Sequence, residues 1–353
     1  MQVSTAIVES IVSRQRVQQM VIEQAGVVQW RDCSVPQLQC AREAIVRPLV
    51  VGRCDLDVAL VNGVLPIRSG SALGHECIAE VVDIGDEVRG IETGERVLVA
   101  AQINCGLCNP CRQGFTGRCT AVPFGASYGM GRDGDYGGAL ADLMRVPFAA
   151  AMLVPLPVGF DPIEMIGAAD MALDAWRAVG PALQERPGAR VLVAGGDASV
   201  IGLYAAGIAL ALGAAEVWYW DDDSVRLARA NSIGAQVLSR EAEPQGHFEV
   251  VVNACVDTAI LKRALLAAAP EAHFTSVTTF LQEDVAMPLR DLYMKGITFK
   301  IGRPNVRPPI EAVLGLCRAG RFNPHDVPAT VFDFERAPEA WLSRELRTAV
   351  SRI

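Results

Sequence analysis

Four cysteines lie close together in one short segment of the sequence, which reads Cys105-Gly-Leu-Cys108-Asn-Pro-Cys111, with Cys119 following eight residues later. Zinc accepts four thiolates tetrahedrally, and such a closed shell leaves no position for a substrate. We therefore predict a structural zinc site in a lobe at residues 105–119. An iron–sulfur cluster is the main alternative. Unpaired core cysteines or a redox pair fit less well, because Asn, Arg and Gln surround these thiols.

A glycine-rich segment follows the apolar run Val-Leu-Val-Ala and precedes a predicted helix. Glycine loops between a strand and a helix bind pyrophosphate through backbone N–H groups and the helix dipole. This loop is about two residues longer than G-x-G-x-x-G, and an ordinary strand-to-helix turn is the alternative. If it binds a dinucleotide, the predicted contacts, which include one hydroxyl group, are Gly195, Gly196, Ser199, Val200 and Gly202.

Three consecutive carboxylates, Asp221, Asp222 and Asp223, end the next predicted strand. An acid about 20 residues after the glycine loop holds the ribose 2′-hydroxyl in dinucleotide-binding folds. These carboxylates would repel a 2′-phosphate, and no Lys or Arg follows immediately, so the sequence favours NAD over NADP. We also expect Asp223 to cap the following helix.

The elements that must position these residues divide the chain of 353 residues into two parts. Short β-branched runs broken by Gly and Pro predict a β-rich region, and from residue 162 helices alternate with strands, which predicts a parallel sheet and an α/β fold. The tail after residue 308 ends in a strand that could rejoin the first part. Residues 1–20 are predicted as a surface helix or a mobile segment. The predicted strands are 44–52, 77–85, 95–101, 191–195, 217–220, 248–254 and 273–277, and the predicted helices are 162–182, 200–212, 224–232 and 259–268.

Composition excludes several classes of protein. The net charge of −8 argues against a nucleic-acid binder, which needs a basic surface. No apolar run approaches the ~20 residues that cross a bilayer, and the start of the chain has no secretory signal pattern. Ten cysteines without such a signal indicate reduced thiols and a cytoplasmic protein. With only four histidines, metal sites must use thiolate and carboxylate ligands.

The chain after residue 20 resembles the zinc-dependent medium-chain alcohol dehydrogenase family (the medium-chain dehydrogenase/reductase family). Besides the lobe and the alternating strands and helices, the resemblance depends on Gly74-His75-Glu76, Gly94-Glu95-Arg96-Val97 and Gly137-Gly138-Ala139-Leu140-Ala141. It implies a GroES-like, β-rich catalytic domain from 1–160 and 306–353 and a Rossmann NAD-binding domain from 161–305. It also implies two zinc ions per chain and a homodimer or homotetramer.

The resemblance further implies that Cys54, His75 and Asp170 bind a catalytic zinc. One thiolate, one imidazole and one carboxylate leave a fourth position for water or a substrate oxygen. Asp174 is the alternative third ligand and is expected at the surface. Taken singly, Cys54 could be a buried small hydrophobe, His75 a structural histidine and Asp170 a helix cap.

Other roles come from the same resemblance. Asp57 would orient the zinc ligands, and Glu76 would lie beside the metal, in an ion pair. The family's Arg-Leu pair matches Arg226-Leu227, which sets Asp221 at the ribose, and Arg347 would reach the pyrophosphate. Arg303 and Arg307 are rival phosphate contacts, and Trp176 and Tyr128 are candidate pocket residues. The hydroxyl and imidazole that relay protons in many relatives are replaced by Leu56 and Ala59.

These patterns predict an oxidoreductase that transfers a hydride between an alcohol or polyol, or its carbonyl form, and NAD(H). The expected partner is a small-molecule substrate, with no nucleic acid and no membrane. One alternative is a carbonyl or imine reductase on the same fold. Another is an altered relative that keeps only the structural zinc. A zinc-ribbon regulatory protein fits neither the charge nor the alternating strands and helices.

Overall fold

The structure is a computed structural model that describes residues 16–131 and 136–353. The strands are β1 Arg16–Gln24, β2 Val27–Ser34, β3 Ala44–Arg53, β4 Ser71–Ala72, β5 Glu76–Ile84, β6 Arg96–Val99, β7 Met144–Val146, β8 Leu153–Pro155, β9 Arg190–Ala194, β10 Glu216–Asp221, β11 Gln236–Ser239, β12 Phe248–Asn253, β13 Ala268–Ser276, β14 Thr298–Ile301, β15 Thr330–Asp333 and β16 Thr348–Ser351. The α-helices are α1 Asp55–Val61, α2 Asn109–Arg112, α3 Ala149–Met152, α4 Pro162–Met165, α5 Met171–Glu185, α6 Ser199–Ala211, α7 Ser224–Ile233, α8 Thr258–Ala267, α9 Leu289–Lys295, α10 Ile310–Arg318 and α11 Ala337–Leu342.

The chain packs into two units. The first comprises residues up to Asp170 together with Asn305–Ile310 and Pro328–Ile353, and the second comprises Met171–Pro304 and Glu311–Val327. No helix among the described residues is long and apolar enough to cross a membrane.

The first unit consists of β-sheets and short helices. One sheet has the order β2-β1-β4, and the other has the order β15-β16-β3-β5-β6-β8, with β7 also paired to β3. The C-terminal tail returns to the first unit as predicted, since β16 pairs antiparallel with β3. Strand β3 is buried along nearly its whole length, as expected for a run of Val, Ile and Leu at the centre of a sheet.

The N-terminal prediction is wrong where the structure can test it. Residues 16–20 belong to strand β1, and Val17 and Met20 are buried in the core. Met20 is followed by the buried Val21 and Ile22, so the strand is covered on both faces at this point. The rest of that prediction, residues 1–15, lies outside the described residues.

The second unit has a six-stranded sheet of order β11-β10-β9-β12-β13-β14, in which every pair is parallel. The first strand along the chain lies in the middle, and the order reverses between β9 and β12. This is the doubly wound order in which ligands bind at the carboxyl ends of the strands, at the switch point. The α/β prediction is confirmed, and each predicted strand or helix of this unit overlaps an observed one, although β13 begins at Ala268 rather than at residue 273. The edge strands β11 and β14 and the helix α9 were missed, and the predicted helix 162–182 is divided into α4, the 3₁₀ turn Ile166–Ala169 and α5.

Candidate active site

Cys54, His75 and Asp170 come together in the first unit. Their ligand atoms all lie within 4.8 Å of one another, and all three residues are buried. Cys54 lies between β3 and α1, His75 precedes β5, and Asp170 follows the 3₁₀ turn Ile166–Ala169. Three side chains from distant parts of the sequence therefore present a thiol, an imidazole and a carboxylate to one point.

The first turn of α1 fixes the position of Cys54. Cys54 has extended backbone angles at the start of the helix, and the Asp57 carboxylate accepts its N–H at 3.0 Å. The preceding residue, Arg53, is buried and donates to the carbonyl oxygens of Ala340 and Trp341, each at 3.1 Å. The C-terminal tail thus holds the end of β3, a function that no local sequence signal indicated.

Glycines give His75 its place. Gly74 has a φ of +90°, a conformation that disfavours side chains. A Cβ at Gly138 would lie 2.1 Å from the carbonyl oxygen of Leu73, so the two segments can only approach with glycine there. Ala139 then donates its N–H to the Gly74 carbonyl at 2.7 Å. The Gly-Gly-Ala motif is therefore a support for the Gly-His-Glu turn.

The imidazole of His75 is fully buried among carboxylates. Nδ1 lies 3.7 Å from Asp57 Oδ1 and Nε2 lies 3.3 Å from Asp170 Oδ2. Neither nitrogen has a well-formed hydrogen bond within residues 16–131 and 136–353. Burial opposes the charged ring, but Asp57, Asp170 and Glu76 outweigh it and raise the pKa of His75 to about 9.

The thiol of Cys54 is fully buried as well. Burial, followed by the negative charge of Asp170, raises the pKa of Cys54 well above its usual value. A buried thiol and two buried carboxylates around an imidazole without a good hydrogen-bond partner form a donor set in need of a cation. Sulfur, nitrogen and oxygen ligands in this combination suit zinc with an open fourth position.

The cysteine lobe also brings its thiols together. The four sulfurs lie within 4.8 Å of one another, and those of Cys108 and Cys119 are 3.9 Å apart. Zn–S bonds of about 2.3 Å in a tetrahedron place sulfurs roughly 3.8 Å apart. The N–H of Cys105 donates to Cys119 at 3.4 Å, and that of Cys108 donates to Cys105 at 3.3 Å. Hydrogen bonds from the Cys111 and Thr120 backbones lower the pKa of Cys108 to about 5, which favours the thiolate that a metal binds.

The glycine-rich segment of the second unit forms the turn between β9 and α6. Gly195 approaches the next strand closely, because a Cβ there would lie 2.2 Å from Asp221 Oδ2. Gly196 has a φ of +151°, and a Cβ there would lie 2.7 Å from Cys255 Cβ. Helix α6 begins at Ser199, so Val200 and Gly202 stand in its first turn. The Ser199 hydroxyl donates to the Gly196 carbonyl at 3.0 Å within the loop itself.

Asp221 ends β10 and is completely buried. Its two oxygens accept from Arg226 Nε and Nη2, each at 2.7 Å, and one of them also accepts the Asp222 N–H at 2.7 Å. Burial would raise the pKa of Asp221, but these hydrogen bonds prevail and lower it. Asp223 caps α7 as predicted, accepting the Arg226 N–H at 2.8 Å.

Comparison with known proteins decides the family. Residues 41–158 match the model of the alcohol dehydrogenase GroES-like domain. The solved alcohol dehydrogenase TADH from Thermus sp. ATN1 is 30% identical, with a TM-score of 0.87, over 95% of this chain and 99% of that one. The chain belongs to the zinc-dependent medium-chain alcohol dehydrogenase family. Membership makes it an oxidoreductase that works with zinc and a nicotinamide dinucleotide, and it confirms the resemblance read from the sequence.

Two curated relatives of this dehydrogenase extend the comparison. A probable zinc-binding alcohol dehydrogenase of Mycobacterium tuberculosis is 26% identical over 93% of this chain and 85% of its own length. The glutathione-independent formaldehyde dehydrogenase of Pseudomonas aeruginosa is 31% identical, over 58% of this chain and 53% of its own length.

Two predicted details of the dehydrogenase need correction. Asp174 is not a surface residue: it is buried in α5 and lies 2.6 Å from the Arg177 guanidinium. It is therefore engaged by the residue one turn later on its own helix. Tyr128 is completely buried, and its hydroxyl donates to the Arg145 carbonyl at 2.8 Å, which leaves it a packing residue.

Two of the arginines predicted to contact phosphate, Arg347 and Arg307, have partners within their own unit. Arg347 is buried, with Nη2 3.8 Å from Glu76 Oε2, and Arg307 donates to the Ala151 carbonyl at 3.0 Å. The ion pair expected at Glu76 is thus formed with Arg347, the residue that the resemblance assigns to the pyrophosphate. The contact between Arg347 and a pyrophosphate stays a prediction.

Sequence reasoning missed one residue at the dinucleotide end of the sheet. Arg240 directly follows β11, and its guanidinium donates to the carbonyl of Gly195. The only available signal was a basic residue between the predicted helix 224–232 and the predicted strand 248–254. Arg240 contacts Gly195 only because β11, β10 and β9 are neighbours in the sheet.

Proposed function

We propose that this dehydrogenase transfers a hydride between an alcohol or polyol, or the corresponding carbonyl compound, and NAD(H). The observation that carries the proposal is the buried group of Cys54, His75 and Asp170. Three protein ligands with an open fourth position are typical of catalytic zinc, whereas four closed thiolates are typical of structural zinc. A bound zinc ion would act as a Lewis acid on the substrate oxygen.

The protein side chains have separate roles in this proposal. Cys54, His75 and Asp170 hold the metal, and Asp57 orients both the Cys54 backbone and the His75 ring. Glu76, 3.8 Å from Arg347, supplies a balanced charge pair beside the ligands. Cys105, Cys108, Cys111 and Cys119 hold the structural zinc.

The dinucleotide is assigned to the second unit. The strand order of the parallel sheet reverses between β9 and β12, beside the glycine-rich turn, and this is the place where such sheets bind nucleotides. We assign the loop residues Gly195, Gly196, Ser199, Val200 and Gly202 to the pyrophosphate and Asp221, with Arg226, to the adenosine ribose. The first unit is accordingly the catalytic domain and the second the NAD-binding domain.

We further propose that the dehydrogenase is a cytoplasmic homodimer or homotetramer. Strand β14 is the edge of its sheet, and Ile301 on it is 55% exposed. The neighbouring α9 exposes Leu289, Tyr293 and Met294. Exposed apolar patches beside a sheet edge favour association. Light scattering on the purified protein tests this; a monomer would contradict it.

Zinc content and turnover test the activity. The purified protein should contain two zinc ions per chain, one for each donor group, and should produce NADH from NAD with at least one member of a panel of alcohols and polyols. The reverse assay, with aldehydes, ketones and imines, reveals a reductase. Asp170→Asn should lose one zinc and all turnover.

Asp174→Asn is the matched control, because it removes the same charge from the alternative ligand position. It should keep both zinc ions, although it weakens the contact with Arg177. Loss of zinc from Asp174→Asn but not from Asp170→Asn would reverse the ligand assignment. Full activity after removal of both carboxylates would refute the proposed catalytic metal.

A further inference from the structure

A basic residue, Arg240, lies beside the three consecutive aspartates at the end of β10. Arg240 comes from the end of β11, and its side chain is only 13% exposed. Its Nη2 lies 3.9 Å from Asp221 Oδ1 and its Nε lies 3.9 Å from Asp222 Oδ1. The guanidinium therefore lies against two of the three consecutive carboxylates, one of which, Asp221, is the predicted ribose contact.

The same guanidinium reaches the centre of the sheet. It donates to the carbonyl of Gly195, the first residue of the glycine turn, and Nη1 lies 3.5 Å from the Cys255 sulfur that follows β12. Arg240 thus extends from the end of β11 past β10 and β9 to β12. It lies at the carboxyl ends of the strands, at the reversal point where the adenosine half of a dinucleotide binds.

The two aspartates beside Arg240 differ in how far their charges are compensated. Asp221 is completely buried and forms a two-pronged pair with Arg226, so its charge is already compensated. Asp222 is different, because its side chain is 71% exposed and its carboxylate lies 3.8 Å from Arg226 and 3.9 Å from Arg240. Because Arg226 is already paired with Asp221, Arg240 is the second positive charge that opposes the exposed Asp222.

Cofactor choice in this fold depends on the charge near the ribose 2′-oxygen. An acid at the end of the second strand binds the 2′-hydroxyl of NAD, whereas a nearby arginine accommodates the 2′-phosphate of NADP. Guanidinium groups bind phosphate through paired hydrogen bonds as well as through charge. Here both kinds of residue are present at one position.

We propose that Arg240 is a specificity-determining residue that lets this dehydrogenase accept NADP(H) beside NAD(H). This rests on the proposed function, in which the carboxyl end of the parallel sheet binds the dinucleotide. The aspartates alone would give strict NAD dependence. Arg240 opposes their charge, and its guanidinium lies beside the exposed carboxylate of Asp222.

Dissociation constants for NADH and NADPH test the proposal, measured by nucleotide fluorescence on the zinc-loaded enzyme. Arg240→Ala should weaken NADPH binding by about tenfold or more, the usual loss for a charged hydrogen bond, and NADH binding by a clearly smaller factor. Asp222→Asn should act in the opposite direction and strengthen NADPH binding, because it removes the exposed carboxylate that faces Arg240. The effect of Arg240→Ala on NADPH binding should also become smaller as salt is added, because salt screens the charges.

Arg229→Ala is the matched control. It removes one positive charge from α7, where Arg229 contacts the Asp326 carbonyl at 3.3 Å, and should leave the ratio of the two constants unchanged. Equal weakening of both nucleotides by Arg240→Ala would overturn the proposal, as would wild-type enzyme that binds NADH but not NADPH. If Arg240→Ala does not fold, an unchanged ratio in Asp222→Asn decides against it. Absence of any nucleotide binding would refute the proposed function instead.

Discussion

Gly52 and Glu76 face each other across strands β3 and β5, and the Glu76 carboxylate fills the space where a side chain at position 52 would begin. A Cβ on Gly52 would lie 1.8 Å from Glu76 Oε2. Glycine at this position is therefore the reason that an acidic side chain can lie buried directly beside His75.

Gly52→Ala should displace Glu76 and disturb the zinc ligands. Overpacking of a buried position costs typically ~1–3 kcal/mol, so we expect a lower free energy of unfolding and weaker retention of the catalytic zinc. Urea unfolding and metal analysis measure the two effects. Gly315→Ala is the control, because nothing lies within 4 Å of its added Cβ in α10; it should stabilise the protein by about 0.5–1 kcal/mol. Similar behaviour of the two variants would contradict this account.

The buried pair of Glu76 and Arg347 should be energetically coupled. Their side chains are 0% and 2% exposed, and removal of one partner from a buried pair costs roughly 3–5 kcal/mol. We expect Glu76→Gln and Arg347→Met each to lower the free energy of unfolding strongly, and the double variant to lose much less than the two losses added. A double-mutant cycle from urea unfolding measures the coupling. Additive losses would show that the two charges act independently.

Loss of one thiolate from the cysteine lobe should lower the stability of the protein and leave its turnover largely unchanged. Cys108→Ser removes one of four thiolates, so the protein should keep about one zinc per chain and unfold at a lower temperature. The remaining zinc should still support turnover below that temperature. Cys40→Ser is the control, because Cys40 is exposed and belongs to neither cysteine-containing donor group of the described residues. Retention of both zinc ions by Cys108→Ser would exclude the four-thiolate site.

Rising pH should lower the stability of the zinc-free protein and strengthen its binding of zinc. In the zinc-free protein the pKa of His75 is raised from 6.5 to about 9, since Asp57, Asp170 and Glu76 outweigh its burial. A raised folded-state pKa gives stability that is present below about 6.5 and disappears as the pH rises through about 9. Zinc, by contrast, needs the unprotonated ring and the Cys54 thiolate, so its binding should strengthen over the same range.

Urea unfolding of chelator-treated protein and zinc titrations at several pH values measure both trends. His75→Gln should remove this part of the pH dependence in the zinc-free protein. A zinc-free protein that becomes more stable between these pH values would contradict the assigned environment of His75.

Local sequence determined the cysteine lobe and the alternation of strands and helices. Cys105, Cys108 and Cys111 are three residues apart, so a turn of chain is enough to bring their sulfurs to one ion. The spacing of apolar residues likewise predicted β9, β10, β12 and their helices, because a strand or a helix buries residues at a fixed spacing within a short segment.

Tertiary structure alone decided which acids and bases meet. Asp170 joins His75 while Asp174, four residues later, pairs with Arg177, although both residues are carboxylates near the start of one helix. Arg240 reaches Gly195 and Asp222 because the sheet order brings β11, β10 and β9 side by side. Spacing along the chain fixes contacts that a single turn can make, whereas contacts across a sheet depend on how distant strands pack, and no local pattern records that.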